Sequence, residues 1–206
     1  MRKIDFDTWE RTEAYRFFCT HANPYYSIAF TQDVTKLRQW CKSRNQSFYL
    51  ALTHLCTRAA NSVENFRYVL RNGEVWLSDG RIPSFTDLHP GSEVFHITTP
   101  VWDDDMETFI QKAREESKSQ TSFLDAQDET DELIFISCVP QLRLVSLQGS
   151  RDPEVNEIAM TWGTYEAHGD RFELTMVLEL NHRLIDGLHV QRFARKLTEL
   201  IEALPE

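Results

Sequence analysis

The stretch that decides the fold is Arg171-Phe172-Glu173-Leu174-Thr175-Met176-Val177-Leu178-Glu179-Leu180-Asn181-His182-Arg183-Leu184-Ile185-Asp186-Gly187-Leu188-His189. Phe172, Leu174, Met176, Leu178 and Leu180 occupy every second position, the period of a strand with one face buried. The predicted strand ends at Asn181. His182 follows it, on the side of Leu178 and Leu180 if the period persists. Asp186-Gly187 then precede a helix predicted from about His189 to Ala203, with Val190, Phe193, Ala194, Leu197 and Ile201 on one face. The strand therefore delivers a histidine to a tight turn that a helix closes.

Working outward, Asp33 and Ser47 have the side chains of helix N-caps. Val34, Leu37, Trp40 and Cys41 follow the first at helical spacing, and Leu52, Leu55, Cys56, Ala59 and Val63 follow the second. A third helix is predicted after Asp103-Asp104-Asp105, whose carboxylates suit a helix start, with Phe109, Ile110 and Ala113 inward. Strands are predicted at Tyr25–Phe30, Phe66–Leu70, Glu74–Leu77, Glu93–Thr98, Leu133–Cys138, Leu142–Leu147, Ile158–Gly163 and Arg171–Asn181, with Asn72-Gly73 turning one hairpin. Asp125–Glu132 and Gly149–Glu157 read as polar loops. These elements imply a single α/β domain over residues 1–206 with a large mixed sheet.

The composition is that of a globular chain: 206 residues, 41% hydrophobic and 26% charged. A net charge of −10 argues against nucleic acid, whose binding needs Lys and Arg to neutralise phosphates. No apolar run is long enough for a membrane span, and no apolar stretch follows Met1-Arg2-Lys3, so the expectation is a cytoplasmic protein. The four cysteines, Cys19, Cys41, Cys56 and Cys138, are scattered without a CxxC pair, and neither disulfides nor a metal cluster is expected.

The chemistry available to His182 is proton transfer. An alcohol is a poor nucleophile at neutral pH, and an imidazole with an ordinary pKa of ~6.5 can take its proton as the oxygen attacks a thioester. Apolar neighbours keep the ring in its basic form. A satisfied core histidine at a strand end is the competing reading. A metal site built from His182, Asp186 and His189 lacks further clustered ligands.

Beyond this stretch, Trp9-Glu10-Arg11 with Tyr15, then Tyr26, Asp33-Val34-Thr35, Phe48-Tyr49, His54, Phe66-Arg67, Phe135-Ile136-Ser137-Cys138-Val139-Pro140, Thr161-Trp162-Gly163, Tyr165, Gly169-Asp170 and His182-x-x-x-Asp186-Gly187-x-His189 occur in a set order. That order resembles the chloramphenicol acetyltransferase family over nearly the whole chain. The resemblance implies a two-layer sandwich, a large mixed β-sheet flanked by helices. It implies an acetyl-CoA-dependent O-acetyltransferase acting on a hydroxyl of chloramphenicol or a related small molecule, with acetyl-CoA as co-substrate and no permanently bound cofactor. By the same resemblance His182 is the general base, Ser137 donates to the oxyanion and Thr161 holds a water nearby. Asp186 and Arg11 form a site-shaping ion pair, Tyr26 lines the acceptor pocket and Tyr165 contacts CoA. The family pattern further implies a homotrimer with active sites at the subunit interfaces, and no nucleic-acid or membrane partner.

The chain departs from the pattern at Asn181, which replaces the first of two histidines, and in the segment between His96 and Leu133, which is shorter. Ser47 and Thr164 replace lysines that meet the CoA phosphates, leaving Arg143 and Arg151 as candidate substitutes. Alternatives left open are a different hydroxyl or thiol acceptor, a lipoyl-dependent acyltransferase core, and a non-catalytic trimeric small-molecule binder that sequesters an antibiotic.

Overall fold

The computed structural model describes residues 1–125 and 130–205. In chain order the elements are β1 (Arg2–Lys3), α1 (Thr12–Cys19), β2 (Tyr25–Asp33), α2 (Thr35–Ser43), α3 (Phe48–Asn61), a 3₁₀ turn (Glu64–Arg67), β3 (Tyr68–Arg71), β4 (Glu74–Leu77), β5 (Ile82–Asp87), β6 (His96–Thr98), α4 (Met106–Ser119), β7 (Leu133–Cys138), β8 (Ile158–Trp162), β9 (Glu166–His168), β10 (Arg171–Asn181) and α5 (Gly187–Glu202). The main sheet has the order β2-β10-β8-β7-β5-β6, with β9 also on β10, and β1-β4-β3 form a small separate sheet. Pairing is antiparallel around β10 and parallel across β8, β7 and β5, so the sheet is mixed.

Strand β10 is long because it has three partners, β2 from Glu173 to Asn181, β8 in its middle and β9 at its start. Leu174, Met176, Leu178 and Leu180 point into the core, together with Ile136 and Met160 from β7 and β8. The helices pack over that face. Helix α3 lies at their centre, with Leu50 through Thr57 and Ala59-Ala60 all buried, as expected of a helix apolar around its circumference. Ser47 caps it, accepting from the Leu50 amide at 3.3 Å. Among the described residues, no helix is long and apolar enough to cross a membrane.

Several elements differ from their expectations. The alternation over Leu142–Leu147 forms no strand. Strand β7 already lies between β5 and β8, so the chain leaving it cannot pair beside it, and residues 142–147 pair with no strand of the sheet. Residues 139–157 instead run irregularly across the sheet face away from the helices. The Ser27 hydroxyl donates to Leu147 O at 2.6 Å, and the Thr164 amide donates to Leu142 O at 2.8 Å. Leu142 and Val145 remain 60% and 80% exposed, so their apolar pattern has no core to serve within one copy. Strand β5 escaped the sequence pattern because Pro83 lies inside it and alternation is short. The stretch expected as a strand from Phe66 opens with the 3₁₀ turn. Asp33 acts one residue early as a cap, its Oδ1 accepting from the Thr35 amide at 2.9 Å and hydroxyl at 2.7 Å, and α2 starts at Thr35. The expected loop Asp125–Glu132 falls partly on residues 126–129, outside the described residues.

Candidate active site

The end of β10 positions His182. Its backbone amide donates to Pro24 O at 2.9 Å, which ties the residue to the start of β2. Arg11, one residue before α1, then grips the turn with its whole fork. Its Nη2 donates to His182 O at 2.9 Å, its Nε to Arg183 O at 2.9 Å and its Nη1 to Asp186 Oδ2 at 2.6 Å. The planar guanidinium suits three acceptors spread over one tight turn. Asn181 Oδ1 takes the Arg183 amide at 3.0 Å, and Asn65 donates to Leu184 O at 2.8 Å. Each polar backbone group of the turn thus has a named role, and the histidine has little backbone freedom.

Asp186 does not act on the imidazole. Burial raises its pKa, but the hydrogen bond from Arg11 and the charges of His189 and Arg11 outweigh that, and the net shift is downward. Its amide donates to His189 Nδ1 at 3.0 Å at the start of α5. Burial is also the main cause holding His189 below the usual histidine range. The pair therefore fixes the turn and the helix start.

The imidazole lies between two aromatic rings. Phe18 stacks on it with centroids 4.1 Å apart and planes inclined by 11°, and Tyr26 packs at 4.6 Å. Tyr26 pairs with Leu180 across the strands, which places both on the face where His182 emerges. Its hydroxyl reaches Ile185 O at 3.4 Å, and burial pushes its pKa up to about 12. His182 Nδ1 is sealed from solvent without a partner, while the residue as a whole is half-buried. Of the two ring nitrogens, Nε2 is the one a reactant can reach. Sequence reasoning missed Phe18. The signal was present, since Arg11, Tyr15 and Phe18 share one face of α1, but an eight-residue helix gives too short a pattern to read.

Ser137 and Thr161 are elsewhere. Ser137 is in register with Thr161, and Thr161 with Val177 on β10. Their row lies on the face covered by residues 139–157. His182 is five residues beyond Val177 and on the opposite face, about 16 Å along the strand and two strand spacings across. Thr161 is 5% exposed, while half-buried Ser137 shares a hydrogen bond with Thr86 Oγ1 at 3.1 Å. Two positions down the same face, Phe135 helps line an apolar cavity of about 360 Å³ with Ser84, Ile97, Leu124 and Val155. Tyr165 is at the far end of the sheet, packed against Phe48 at 5.1 Å and Phe172 at 5.7 Å. One copy of the chain therefore brings Arg11, Tyr26, Asp186 and His182 together. Ser137 pairs with Thr161, and Tyr165 stands apart.

The family model described as chloramphenicol acetyltransferase matches residues 1–198. The chain belongs to the chloramphenicol acetyltransferase family. Chloramphenicol acetyltransferase 3 of Escherichia coli is 25% identical over 203 residues, covering 96% of this chain and 95% of that protein. The Clostridium perfringens chloramphenicol acetyltransferase is 24% identical over 98% of each. A solved chloramphenicol acetyltransferase superposes with a TM-score of 0.87 at 27% identity, covering 98% of this chain and all of that one. A probable dihydrolipoamide acetyltransferase from Listeria monocytogenes, at 13% identity and a TM-score of 0.64, shares the fold alone. This member of the chloramphenicol acetyltransferase family is an acyltransferase with the two-layer α/β architecture, a mixed sheet covered by helices.

The two arginines expected as substitutes for the missing lysines both have carboxylate partners in this family member. Arg143 is engaged by Glu166, and Arg151 lies between Glu157 at 3.4 Å and Glu179 at 2.9 Å. Glu179 is 3% exposed, so Arg151 neutralises a buried carboxylate and pins the loop of residues 139–157. Arg151 has both its Nη groups on carboxylates, and Arg143 is paired through Nε alone on the surface.

Proposed function

We propose that this acyltransferase moves an acetyl group from acetyl-CoA to a hydroxyl of chloramphenicol or a closely related small molecule, with His182 Nε2 as general base. The observation that carries this reading is the imidazole itself, clamped through its backbone by Arg11, sandwiched by Phe18 and Tyr26, and reachable only at Nε2. Relatives named for chloramphenicol support that acceptor.

In this mechanism the acceptor hydroxyl gives its proton to Nε2 as its oxygen attacks the thioester carbonyl. The tetrahedral oxyanion accepts a hydrogen bond from the Ser137 hydroxyl. Thr86 Oγ1, 3.1 Å from Ser137 Oγ, can donate to that oxygen and leave the serine hydrogen aimed outward. The intermediate collapses, the C–S bond breaks, and the imidazolium returns its proton to the departing thiolate. A positioned base of this kind contributes ~10²–10⁴-fold. The mostly apolar cavity that Phe135 lines, two positions along the strand from Ser137, supports a small, largely apolar acceptor.

The placement of Ser137 supports a homotrimer. With ~16 Å of strand and the sheet itself between them, His182 and Ser137 of one copy cannot serve the same acetyl group. A reacting pair needs the His182 of one copy against the Ser137 and acceptor cavity of the next, a head-to-tail contact that closes as a ring. The test is thiol release from acetyl-CoA across chloramphenicol and a panel of alcohols and thiols. Turnover that requires an acceptor, and falls at least ~10²-fold in His182→Ala with melting unchanged, is expected. Full activity in that variant would remove the mechanism, and binding of chloramphenicol without turnover of any acceptor would make the protein a binder.

A further inference from the structure

We infer that Arg38, with its guanidinium over the Phe172 ring beside Tyr165, is the cation that receives a phosphate of the nucleotide half of coenzyme A, an assignment that rests on the acetyl-CoA reading above. The guanidinium carbon of Arg38 is 3.8 Å from the Phe172 ring centroid and 5.5 Å from that of Tyr165. Its Nε is sealed from solvent and has no hydrogen-bond partner, and no carboxylate pairs with it among the described residues. A partly desolvated, uncompensated guanidinium is unfavourable in isolation, and its planar fork is the geometry that holds a phosphate by two N–H bonds.

The surrounding charges single it out. Arg171 on the same side is engaged by Asp33 at 2.8 Å and Glu173 at 3.3 Å, and Arg143 by Glu166. Of these three, Arg38 alone has no carboxylate partner among the described residues. A chain of net charge −10 repels a polyanion at long range, so the substrate's phosphates must meet a local cation. Rings are also at hand, since Phe48, Tyr165 and Phe172 form one contiguous aromatic ledge on which a nucleobase can stack. Tyr165 is four residues beyond Thr161, at most about 13 Å along the chain, so the aromatic ledge stands at the end of the sheet where the strand carrying Thr161 finishes.

The experiment measures kcat and KM for acetyl-CoA, and for S-acetyl-pantetheine, which has no nucleotide, in the wild type, Arg38→Gln and Arg38→Lys. CoA binding by calorimetry runs beside them, at low and high salt, and melting curves establish folding. Arg38→Gln should raise the acetyl-CoA KM and the CoA dissociation constant about tenfold or more with kcat within about twofold, and should flatten the salt dependence of CoA binding. Arg38→Lys should recover part of the affinity, and kinetics with S-acetyl-pantetheine should not move. Unchanged CoA binding in Arg38→Gln, or equal losses with both thioesters, would overturn the assignment and make Arg38 a packing residue. A wild type that binds no CoA at any salt would instead overturn the acetyl-CoA reading, and Arg38's role with it.

Discussion

At the residue scale, Arg81 shows how much of this protein rests on polar groups that no motif announces. It is 2% exposed, and its guanidinium donates to the carbonyls of Phe66, Asp131, Leu133, Tyr68 and Asn156. Burial lowers its pKa to about 10, still charged at neutral pH. Arg81→Met would leave these carbonyls unpaired, so a loss of roughly 3–5 kcal/mol is expected in urea unfolding. A loss under ~1 kcal/mol would show that water fills the place. His54 gives a pH prediction. It is fully buried, stacked on Trp102 at 4.7 Å, and Nε2 meets Asp103 O at 3.0 Å. Burial is the main cause of a pKa lowered to about 4, with Arg58 adding to it and the backbone bond to Asp103 and the carboxylates of Asp104 and Asp105 opposing it. The unfolded chain therefore binds a proton near pH 6.5 that the folded chain refuses. Stability should fall as pH drops from about 6.5 towards 4, by on the order of 3 kcal/mol from this group. His54→Gln should flatten that part of the urea-midpoint profile; an unchanged slope would assign it to other groups. His182 was legible because strand period, turn and helix start converge on it, whereas Arg81 has no local signal, because its acceptors come from three separate segments.

At the scale of elements, the close approach of the 139–157 loop to the sheet depends on Gly163. A Cβ there would stand 2.3 Å from Leu142 O and 2.8 Å from the Leu144 amide, both backbone atoms that cannot swing aside. Gly163→Ala should cost about 1–3 kcal/mol and lift the loop, read as faster hydrogen exchange and proteolysis over residues 141–149. Protection equal to wild type would mean that the loop is held by Arg151 and Glu179 alone. Turn chemistry explains why some elements were easy to read. Asn72 and Gly73 have φ of 53° and 75°, the left-handed pair that a two-residue hairpin needs, and the sequence advertises it. Strand β5 and the loop were opaque for the opposite reasons. One strand has a proline inside it, and one strand-like pattern leaves β7 where both sides of that strand are already paired.

At the scale of the whole molecule, an active site divided between copies makes a prediction that a self-contained site does not. His182→Ala and Ser137→Ala, each impaired alone, should complement when unfolded together and reassembled. In a random mixture, about a quarter of the interfaces would join an intact His182 to an intact Ser137. Activity well above the sum of the separate variants is the expected result, and sedimentation should report three copies. Strict additivity would place the whole reaction within one chain. Leu142 and Val145, exposed on the loop, are apolar surface available to such a contact.

The family, the α/β class, the central strand and the histidine at its end could be read before folding, because each is written in local period, turn residues and their order along the chain. The folded chain was needed to show that Phe18 stacks on the imidazole, that Arg151 is paired with Glu179 and that Arg38 has no carboxylate partner among the described residues. It also decided that Ser137 lies on the wrong face to meet its own His182. Those are relations between distant segments, and side-chain pairing and burial exist only once the sheet has fixed which rows and faces its strands present.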